Sequence, residues 1–321
     1  MKHRSGIFGV ALAAIAITAA SCSSPHGAPI RVIVPKGASF ATATDSLSQA
    51  GLVGSPFLFR AYARLKKTDR NIKPGTYLVE RGTPWSEIIA ALHGGHGLVN
   101  SITIPEGFTL AQITPLLART LSVPVDSVEA AVRDTSLLHR LDVPTPTLEG
   151  YLFPDTYAFP DGTKARGAVA EMVKRFEREW KPEFDAQLAT LKLTRHEAVT
   201  LASIVEREAK VPAERPVIAA VYLNRIKAGM LLQADPTVQY ARGKHTPRVL
   251  LRDLEIDSPY NTYKYPGLPP GPIASPGGAS LRAALFPAQV SFLYFVASPD
   301  GHHEFRNTLA EHEAAVRAAR K

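Results

Sequence analysis

The feature that most constrains the fold is a pattern that recurs in the first third of the 321-residue chain. Each copy contains a short run of β-favouring residues, a turn that ends in glycine, and then apolar residues at helical spacing. The three copies span residues 32–47, 77–92 and 102–117. The pattern predicts a strand, a turn that uses the conformational freedom of glycine, and an amphipathic helix. Three irregularly spaced copies favour compact αβ units over a long solenoid.

The first copy continues into a longer order of elements. Glycine and proline end its helix, a second helix is predicted from Pro56 to Lys67, and the next strand follows at Tyr77. The resulting strand–helix–helix–strand order over residues 30–79 resembles a LysM-like module. This resemblance implies binding to glycans that contain N-acetylglucosamine, and a packing or spacer domain without a ligand is the alternative. We place the module at residues 30–97.

Residues 1–29 have the features of an export signal or membrane anchor followed by a spacer. Lys2 and Arg4 precede an apolar run from Ile7 to Ala20, which is shorter than the ~20 residues of a typical membrane span. Cys22 follows in an Ala-Ala-Ser-Cys context that resembles a bacterial lipoprotein cleavage box. Lipid attachment at Cys22 and an uncleaved anchor helix are the two interpretations. Both place the body of the chain outside the cytoplasmic membrane and attached to it.

Composition excludes several classes of protein. Apolar residues make up 45% and charged residues 21% of the chain, which excludes a mainly disordered protein. A single cysteine excludes an internal disulfide framework and a zinc site built on several thiolates. The net charge is +8, but no basic helix with interleaved aromatic residues is present, so we predict no nucleic-acid partner. Anionic lipid headgroups or a cell-wall polymer are the expected neighbours.

One glutamate stands out in the second half of the chain. The capping-box spacing of Thr194 and Glu197 predicts a helix that begins there and runs to about Ala209. Within it, Glu206 has small neighbours one turn away, whereas Glu208 shares a face with apolar residues. A carboxylate among short side chains can form the floor of a cleft for a bulky substrate. A salt-bridged surface residue is the alternative interpretation.

Three other segments predict rigid loops rich in amides, hydroxyls and tyrosines. They cover residues 149–157, 232–240 and 258–273. A second helix is predicted from Glu214 to Ala228, before the segment 232–240. Amides and hydroxyls pair with sugar hydroxyls and acetamido groups, while aromatic faces cover the C–H side of a pyranose. The same residue types are common in turns, so their presence alone also fits ordinary loop chemistry.

Four segments in order give a more specific resemblance. Residues 149–157, Leu201–Glu208, Gln233–Thr237 and Tyr260–Ile273 resemble the YceG-like family, which contains the endolytic murein transglycosylases. The resemblance covers roughly residue 30 to the C-terminus and includes a LysM-like N-terminal part. It implies that the carboxylate of the Ile-Val-Glu sequence, Glu206, is the catalytic acid and base.

Further roles are assigned on the same basis. Residues expected to bind sugar are Gln233, Asn261, Tyr263, Thr237 and Tyr151. Residues expected to position the groups that contact the substrate, without contacting it themselves, are Glu149, Asp155, Asp235 and Glu208. No metal or other cofactor is predicted, because the densest ligand-type cluster, around His302, His303 and His312, does not have HExxH spacing.

The implied reaction cuts glycan strands between N-acetylmuramic acid and N-acetylglucosamine. Such a cut needs a proton on the leaving oxygen and stabilisation of an oxocarbenium-like carbon. A lytic transglycosylase needs one carboxylate, because the 6-hydroxyl of the sugar itself attacks and leaves a 1,6-anhydro end. A lysozyme-type hydrolase would need a second carboxylate, for which Asp235 and Glu149 are candidates. A non-catalytic peptidoglycan-binding or scaffold protein is the remaining alternative.

The predicted fold class is α+β. The expected organisation is an export signal or anchor with its spacer (1–29), the LysM-like module (30–97), a linking segment (98–145) and a mixed α/β catalytic domain (146–321). The resemblance implies that the enzyme limits the elongation of nascent strands. Its expected partners are peptidoglycan strands, the cytoplasmic membrane and peptidoglycan synthases.

Overall fold

The structure is a computed structural model that describes residues 29–95, 97–243, 249–298 and 301–319. The predicted export signal, including Cys22, lies outside these ranges. The chain divides into two compact units, Met1–Leu98 and Val99–Lys321, and mixes helices with strands as the predicted α+β class requires. Within the described ranges, no helix combines the length and the apolar character needed to cross a bilayer.

The first unit contains the predicted strand–helix–helix–strand order. Its elements are β1 (Ile30–Val34), α1 (Phe40–Gln49), α2 (Pro56–Leu65), β2 (Gly75–Val79) and α3 (Trp85–Gly94). β1 and β2 pair antiparallel, with Val32 opposite Tyr77. The core between strands and helices includes Phe59, whose ring lies 5.6 Å from that of Phe40 and 5.5 Å from that of Trp85.

The second unit is mainly helical. Its elements are β3 (Leu98–Thr103, which begins at the boundary), α4 (Leu110–Leu121), α5 (Val125–Ala131), α6 (Thr135–Leu141), β4 (Thr156–Pro160), α7 (Ala165–Glu179), α8 (Pro182–Leu191), α9 (Arg195–Glu208), α10 (Arg215–Lys227), α11 (Asp235–Ala241), α12 (Gly278–Leu285), β5 (Tyr294–Ala297), β6 (His303–Arg306) and α13 (Leu309–Ala319). β3 pairs antiparallel with β4, and β5 with β6.

All three copies of the sequence pattern fold as predicted. Gly37, Gly82 and Gly107 adopt positive φ angles of 78°, 86° and 75°. A helix follows each glycine after a short interval, and these helices are α1, α3 and α4. A residue with a side chain would be strained at these turn positions, so the glycines are a direct requirement of the repeated turn.

Helix α9 lies at the centre of the second unit. Every residue from Ala198 to Val205 is buried, which is typical of a helix surrounded by other elements on all sides. It packs against α8, α10, α11 and α12. Residues 98–145, which the sequence analysis treated as a linking segment, contribute Ile104, Ile113 and Leu117 to the same core.

Candidate active site

The predicted capping box fixes the start of α9. The Thr194 hydroxyl accepts a hydrogen bond from the Glu197 backbone N–H at 3.1 Å, and the Glu197 carboxylate accepts one from the Thr194 N–H at 2.7 Å. At the other end, Ala209 has extended backbone angles and ends the helix. The last turn, which carries Glu206, Arg207 and Glu208, therefore emerges from the core with three polar side chains in different directions.

The Glu206 carboxylate is held by donors on both oxygens. Its Oε2 accepts a hydrogen bond from the Gly277 backbone N–H at 3.0 Å, and its Oε1 accepts one from Arg215 Nη2 at 3.3 Å. The side chain is only 6% exposed. Gly277 precedes α12 and Arg215 begins α10, so two helix starts fix the position of this carboxylate.

A second carboxylate, Glu106, lies beside Glu206. Its Oε2 is 3.9 Å from Arg215 Nη2, so the two carboxylates share one guanidinium group. Burial raises the pKa of Glu106, the charge of Glu206 raises it further, and Arg215 opposes both. A Cβ at Gly277 would lie 1.8 Å from Glu106 Oε1, so a larger residue there would displace the Glu106 side chain.

Sequence reasoning missed Glu106, Arg215 and Gly277. The repeated sequence pattern did contain a signal for Glu106. The residue before the turn glycine is basic in the first two copies, Lys36 and Arg81, and acidic in the third, Glu106. This reversal of charge at an equivalent position marks Glu106 as unusual, although it does not reveal which residues surround it.

Arg207 points away from the Glu206 carboxylate. Its Nη1 donates a hydrogen bond to the Gly107 carbonyl at 3.3 Å. The cation that contacts the Glu206 carboxylate is Arg215. Adjacent helical residues diverge by about 100°, which explains the separation.

Two cavities meet at this end of α9. The first has a volume of about 1080 Å³ and its lining includes Thr109, Gln112, Glu149 and Tyr240. The second has a volume of about 630 Å³ and its lining includes Glu208, Gln233, Asp235 and Tyr263. Residues shared by the two linings are Arg207, Pro236 and Gln239. Glu206 precedes Arg207 in the chain, and its side chain is in neither lining.

The second cavity contains four residues that the sequence analysis selected. Tyr222 donates a hydrogen bond from its hydroxyl to Glu208 Oε1 at 2.9 Å, and burial raises the pKa of Glu208 to about 7. Tyr263 donates to Asp235 Oδ1 at 2.6 Å, and Gln233 accepts from Arg225 at 3.2 Å. This wall therefore presents amide, carboxyl and phenol groups to the cavity.

Three residues expected to bind sugar are fully buried. Thr237 donates to the Ala234 carbonyl at 2.7 Å. Asn261 donates to the carbonyls of Leu254 and Ile256, each at 2.8 Å, and accepts from the Tyr263 N–H at 3.0 Å. Their polar groups are used inside the protein, so they hold the loops behind the cavity walls.

Tyr151 is the third of these buried residues, and its hydroxyl lies 2.9 Å from Nδ1 of His196. The other ring nitrogen of His196 lies 2.8 Å from the Pro270 carbonyl and must donate to it, so Nδ1 accepts from the tyrosine. This chain of bonds joins α9 to the loop before α12.

The two predicted organisers in the 149–157 segment have different surroundings. Glu149 is buried and accepts hydrogen bonds from the Leu110 N–H, at 3.0 and 3.1 Å to its two oxygens. Burial raises its pKa to about 7. Burial acts to raise the pKa of Asp155, but the 2.7 Å hydrogen bond from Arg175, the Thr156 N–H and the nearby arginine charges together outweigh it and lower the pKa. Neither carboxylate is among the groups bonded to Glu206.

Comparison with known proteins gives matches over most of the chain. The model of the YceG-like family matches residues 32–318. An endolytic murein transglycosylase of Bacillus subtilis (strain 168) is 36% identical over 302 residues, which cover 89% of this chain and 83% of that protein. One of Streptococcus pneumoniae serotype 2 (strain D39 / NCTC 7466) is 30% identical over 320 residues, covering 89% of this chain but 58% of that longer protein.

A solved structure gives the same result. The crystal structure of a YceG-like protein from Listeria monocytogenes has a TM-score of 0.63 and 33% sequence identity, covering 89% of this chain and 99% of that one. The family match, the curated relatives and the shared fold agree over nearly the same part of the chain. This chain belongs to the YceG-like family.

Proposed function

We propose that this protein is an endolytic murein transglycosylase, a lyase that cuts the glycan strands of peptidoglycan internally. One observation carries the proposal. The glutamate of the Ile-Val-Glu sequence is a nearly buried carboxylate fixed by Gly277 and Arg215, and the next residue of its helix turn, Arg207, lines both cavities. The relatives named endolytic murein transglycosylase support the same substrate class.

The shape of the cavities suits an internal cut. An enzyme that cleaves within a strand must accommodate sugars on both sides of the scissile bond, whereas one that cleaves at an end needs a closed pocket on one side. The two cavities adjoin, since Arg207, Pro236 and Gln239 line both of them. We assign the sugars on either side of the scissile bond to these two cavities.

Glu206 would act first as an acid and then as a base. It protonates the oxygen that links C1 of N-acetylmuramic acid to N-acetylglucosamine, and the C1–O bond breaks. The 6-hydroxyl of the same muramic acid then attacks C1, and its proton returns to Glu206. A 1,6-anhydro ring forms, no water is consumed, and the enzyme ends in its starting protonation state.

The shared cation is suited to this proton cycle. When both are ionised, Glu106, Glu206 and Arg215 together carry one net negative charge, and one proton makes the group neutral. A bound glycan would exclude water and so favour the neutral state. The Gly277 N–H keeps one Glu206 oxygen in place during both steps.

Glu106 also favours a second candidate function, hydrolysis of the lysozyme type. Such an enzyme uses a second carboxylate to activate water or to form a covalent intermediate. Asp235 and Glu149, the candidates from the sequence, are bonded to Tyr263 and Leu110 instead. Glu106 is the carboxylate that lies close enough to Glu206 to share its guanidinium.

Mass spectrometry of digested peptidoglycan distinguishes the candidates. Transglycosylation gives 1,6-anhydro ends and hydrolysis gives reducing ends, so the ends produced by the wild-type protein decide between them. Glu206→Gln should bind strands and release neither product, while Glu208→Gln is the matched control on the same helix turn. Turnover by Glu206→Gln at the wild-type rate would refute the assignment of the acid.

We further propose that the first unit is a LysM-like glycan-binding module and that the amino end attaches the protein to the cytoplasmic membrane, where peptidoglycan synthases are candidate partners. The strand–helix–helix–strand order supports the first proposal. The apolar run and Cys22 support the second. Titration with N-acetylglucosamine oligomers tests the module, and metabolic labelling with a radioactive fatty acid tests lipid attachment at Cys22 against Cys22→Ser.

A further inference from the structure

Helix α2 in the first unit has two apolar faces. One face packs in the core through Phe59 and Ala63, which are fully buried. The other face carries Phe57 and Leu65, which are 74% and 81% exposed. Large apolar side chains at this exposure and in one row are uncommon on a soluble surface and mark an interaction site.

The exposed row follows helical spacing. Phe57, Ala61 and Leu65 are four residues apart, and Leu58, 55% exposed, lies beside them. Because residues four apart lie on the same side of a helix, these side chains form one stripe along the outer surface of α2. The inner face holds the helix rigidly in the unit, so the stripe is presented as a fixed surface.

Basic residues border this stripe. Arg60 and Arg64 follow one edge at i, i+4 spacing, and their side chains are 39% and 82% exposed. Each makes one long ion pair, Arg60 with Asp45 at 3.7 Å and Arg64 with Asp69 at 3.9 Å, and such surface pairs are weak enough to be exchanged for a headgroup. Residues 60–73 contain six lysines and arginines and one acidic residue. The segment 29–98 has nine basic and four acidic residues, and so carries +5 of the net +8 of the chain.

The combination of an apolar stripe with basic residues at its edge indicates the kind of partner. A protein-binding site has few charges at its centre and varied polar groups at its rim. An apolar stripe with arginine along its edge and no acidic residue within it is typical of a helix that lies in the interface of an anionic membrane. Charge complementarity therefore favours anionic lipid headgroups as the occupant.

The chain length before the first unit fits the same partner. The apolar run of the sequence ends at Ala20 and β1 begins at Ile30, so nine residues separate them. Nine extended residues span at most about 30 Å. Attachment to the bilayer through the apolar run or through a lipid on Cys22 thus keeps α2 within reach of the membrane surface.

We propose that the outer face of α2 docks on the surface of an anionic bilayer, with Phe57, Leu58 and Leu65 in the interface and Arg60 and Arg64 at the headgroups. This inference concerns the first unit and is independent of the chemistry proposed for Glu206.

The test uses the full chain in vesicles, with an environment-sensitive fluorophore on one introduced cysteine. The Cys22→Ser background removes the only natural thiol. Phe57→Cys and Leu65→Cys place the label on the stripe, and Ala90→Cys on the exposed surface of α3 is the control. In vesicles of phosphatidylcholine with phosphatidylglycerol, labels 57 and 65 should shift to the blue and be quenched by a nitroxide lipid, while label 90 stays in water.

Charge is tested in the same assay. Arg60→Gln together with Arg64→Gln should lower the equilibrium constant for docking roughly 25-fold, because each basic residue near an anionic surface contributes about fivefold. Labels 57 and 65 that stay in water on the phosphatidylglycerol-containing vesicles would overturn the proposal. Burial of label 90 to the same extent as labels 57 and 65 would indicate nonspecific adsorption. A blue shift that occurs without lipid and grows with protein concentration would show that the stripe binds a second copy of the chain. Either result also refutes it.

Discussion

Glu206 and Glu208 lie two residues apart at the end of α9, yet their surroundings are opposite. Glu206 accepts hydrogen bonds from a backbone N–H and a guanidinium group, and a second carboxylate shares that cation. Glu208 has a tyrosine hydroxyl as its donor, and burial raises its pKa to about 7. Of the two, Glu208 has the pKa expected of an acid near neutrality, and Glu206 has the fixed position expected of a catalytic group.

Glu149 shows how this difference should be interpreted. It too is buried and has a pKa of about 7, but its oxygens cap the start of α4. A raised pKa is thus produced by burial wherever a carboxylate is enclosed, and it marks a functional site only together with suitable geometry. We therefore give more weight to the shared cation and the two helix starts around Glu206.

The largest expected effect separates the two glutamates directly. Glu206→Gln should lower kcat by about 10³-fold, because general acid–base catalysis typically contributes 10²–10⁴-fold. Glu208→Gln should lower it by less than about tenfold, since glutamine still accepts the Tyr222 hydrogen bond. Single-turnover release of muropeptide ends from purified strands measures both. The reverse order of effects would move the catalytic acid to Glu208.

The second prediction concerns stability and pH. For Glu149 and Glu208 the folded-state pKa of about 7 exceeds the ordinary 4.5, so the folded protein binds these protons more tightly than the unfolded chain. Their contribution to stability is full below pH 4.5 and is lost as pH rises to about 7. The free energy of unfolding should fall by about 3 kcal/mol for each group over this interval.

Urea denaturation at pH 5 and pH 8 measures this loss. Glu149→Gln and Glu208→Gln should each remove about half of the combined slope, while Glu183→Gln serves as a control because its side chain is exposed on α8. An unchanged slope in both variants would show that these two carboxylates are ionised in the folded protein over the whole range.

A third prediction tests the shared cation. Glu106→Gln removes the second negative charge beside Arg215, which should move the loss of activity at high pH to a lower pH. Arg215→Gln removes the cation and should move it in the opposite direction. The pH profile of kcat/KM measures both shifts. Identical profiles would show that the two carboxylates are not coupled through Arg215.

Local sequence patterns predicted much of the fold. The strands, the glycine turns and the helix starts at Phe40, Trp85 and Leu110 follow from short-range rules, and so does the capping box of α9. These features depend on residues within one turn or one strand of each other. They are accessible from the sequence because few distant contacts are needed to form them.

The candidate site was only partly predictable because it combines distant segments. Glu106, Arg215 and Gly277 come from three parts of the chain and meet Glu206 only in the folded unit. Thr237 and Asn261 share their residue types with sugar-binding groups, but amides and hydroxyls also close loops internally, and only burial separates the two uses. The sequence identifies these polar segments but does not show which of their residues are buried in the folded protein.

The smallest expected effect concerns the wall of the second cavity. Tyr263 donates to Asp235 at 2.6 Å in that wall, whereas Tyr265 makes an equivalent 2.7 Å bond to Asp257 on an exposed surface outside the cavity lining. A hydrogen bond to a charged group contributes about 1.5–3 kcal/mol at most, and part of this is recovered when water replaces the hydroxyl. Tyr263→Phe should therefore raise KM for glycan strands by roughly fivefold with kcat unchanged, while Tyr265→Phe changes neither. Steady-state kinetics on strands of defined length measure both. Equal effects of the two variants would mean that the Tyr263 hydroxyl does not act through a contact with the sugar.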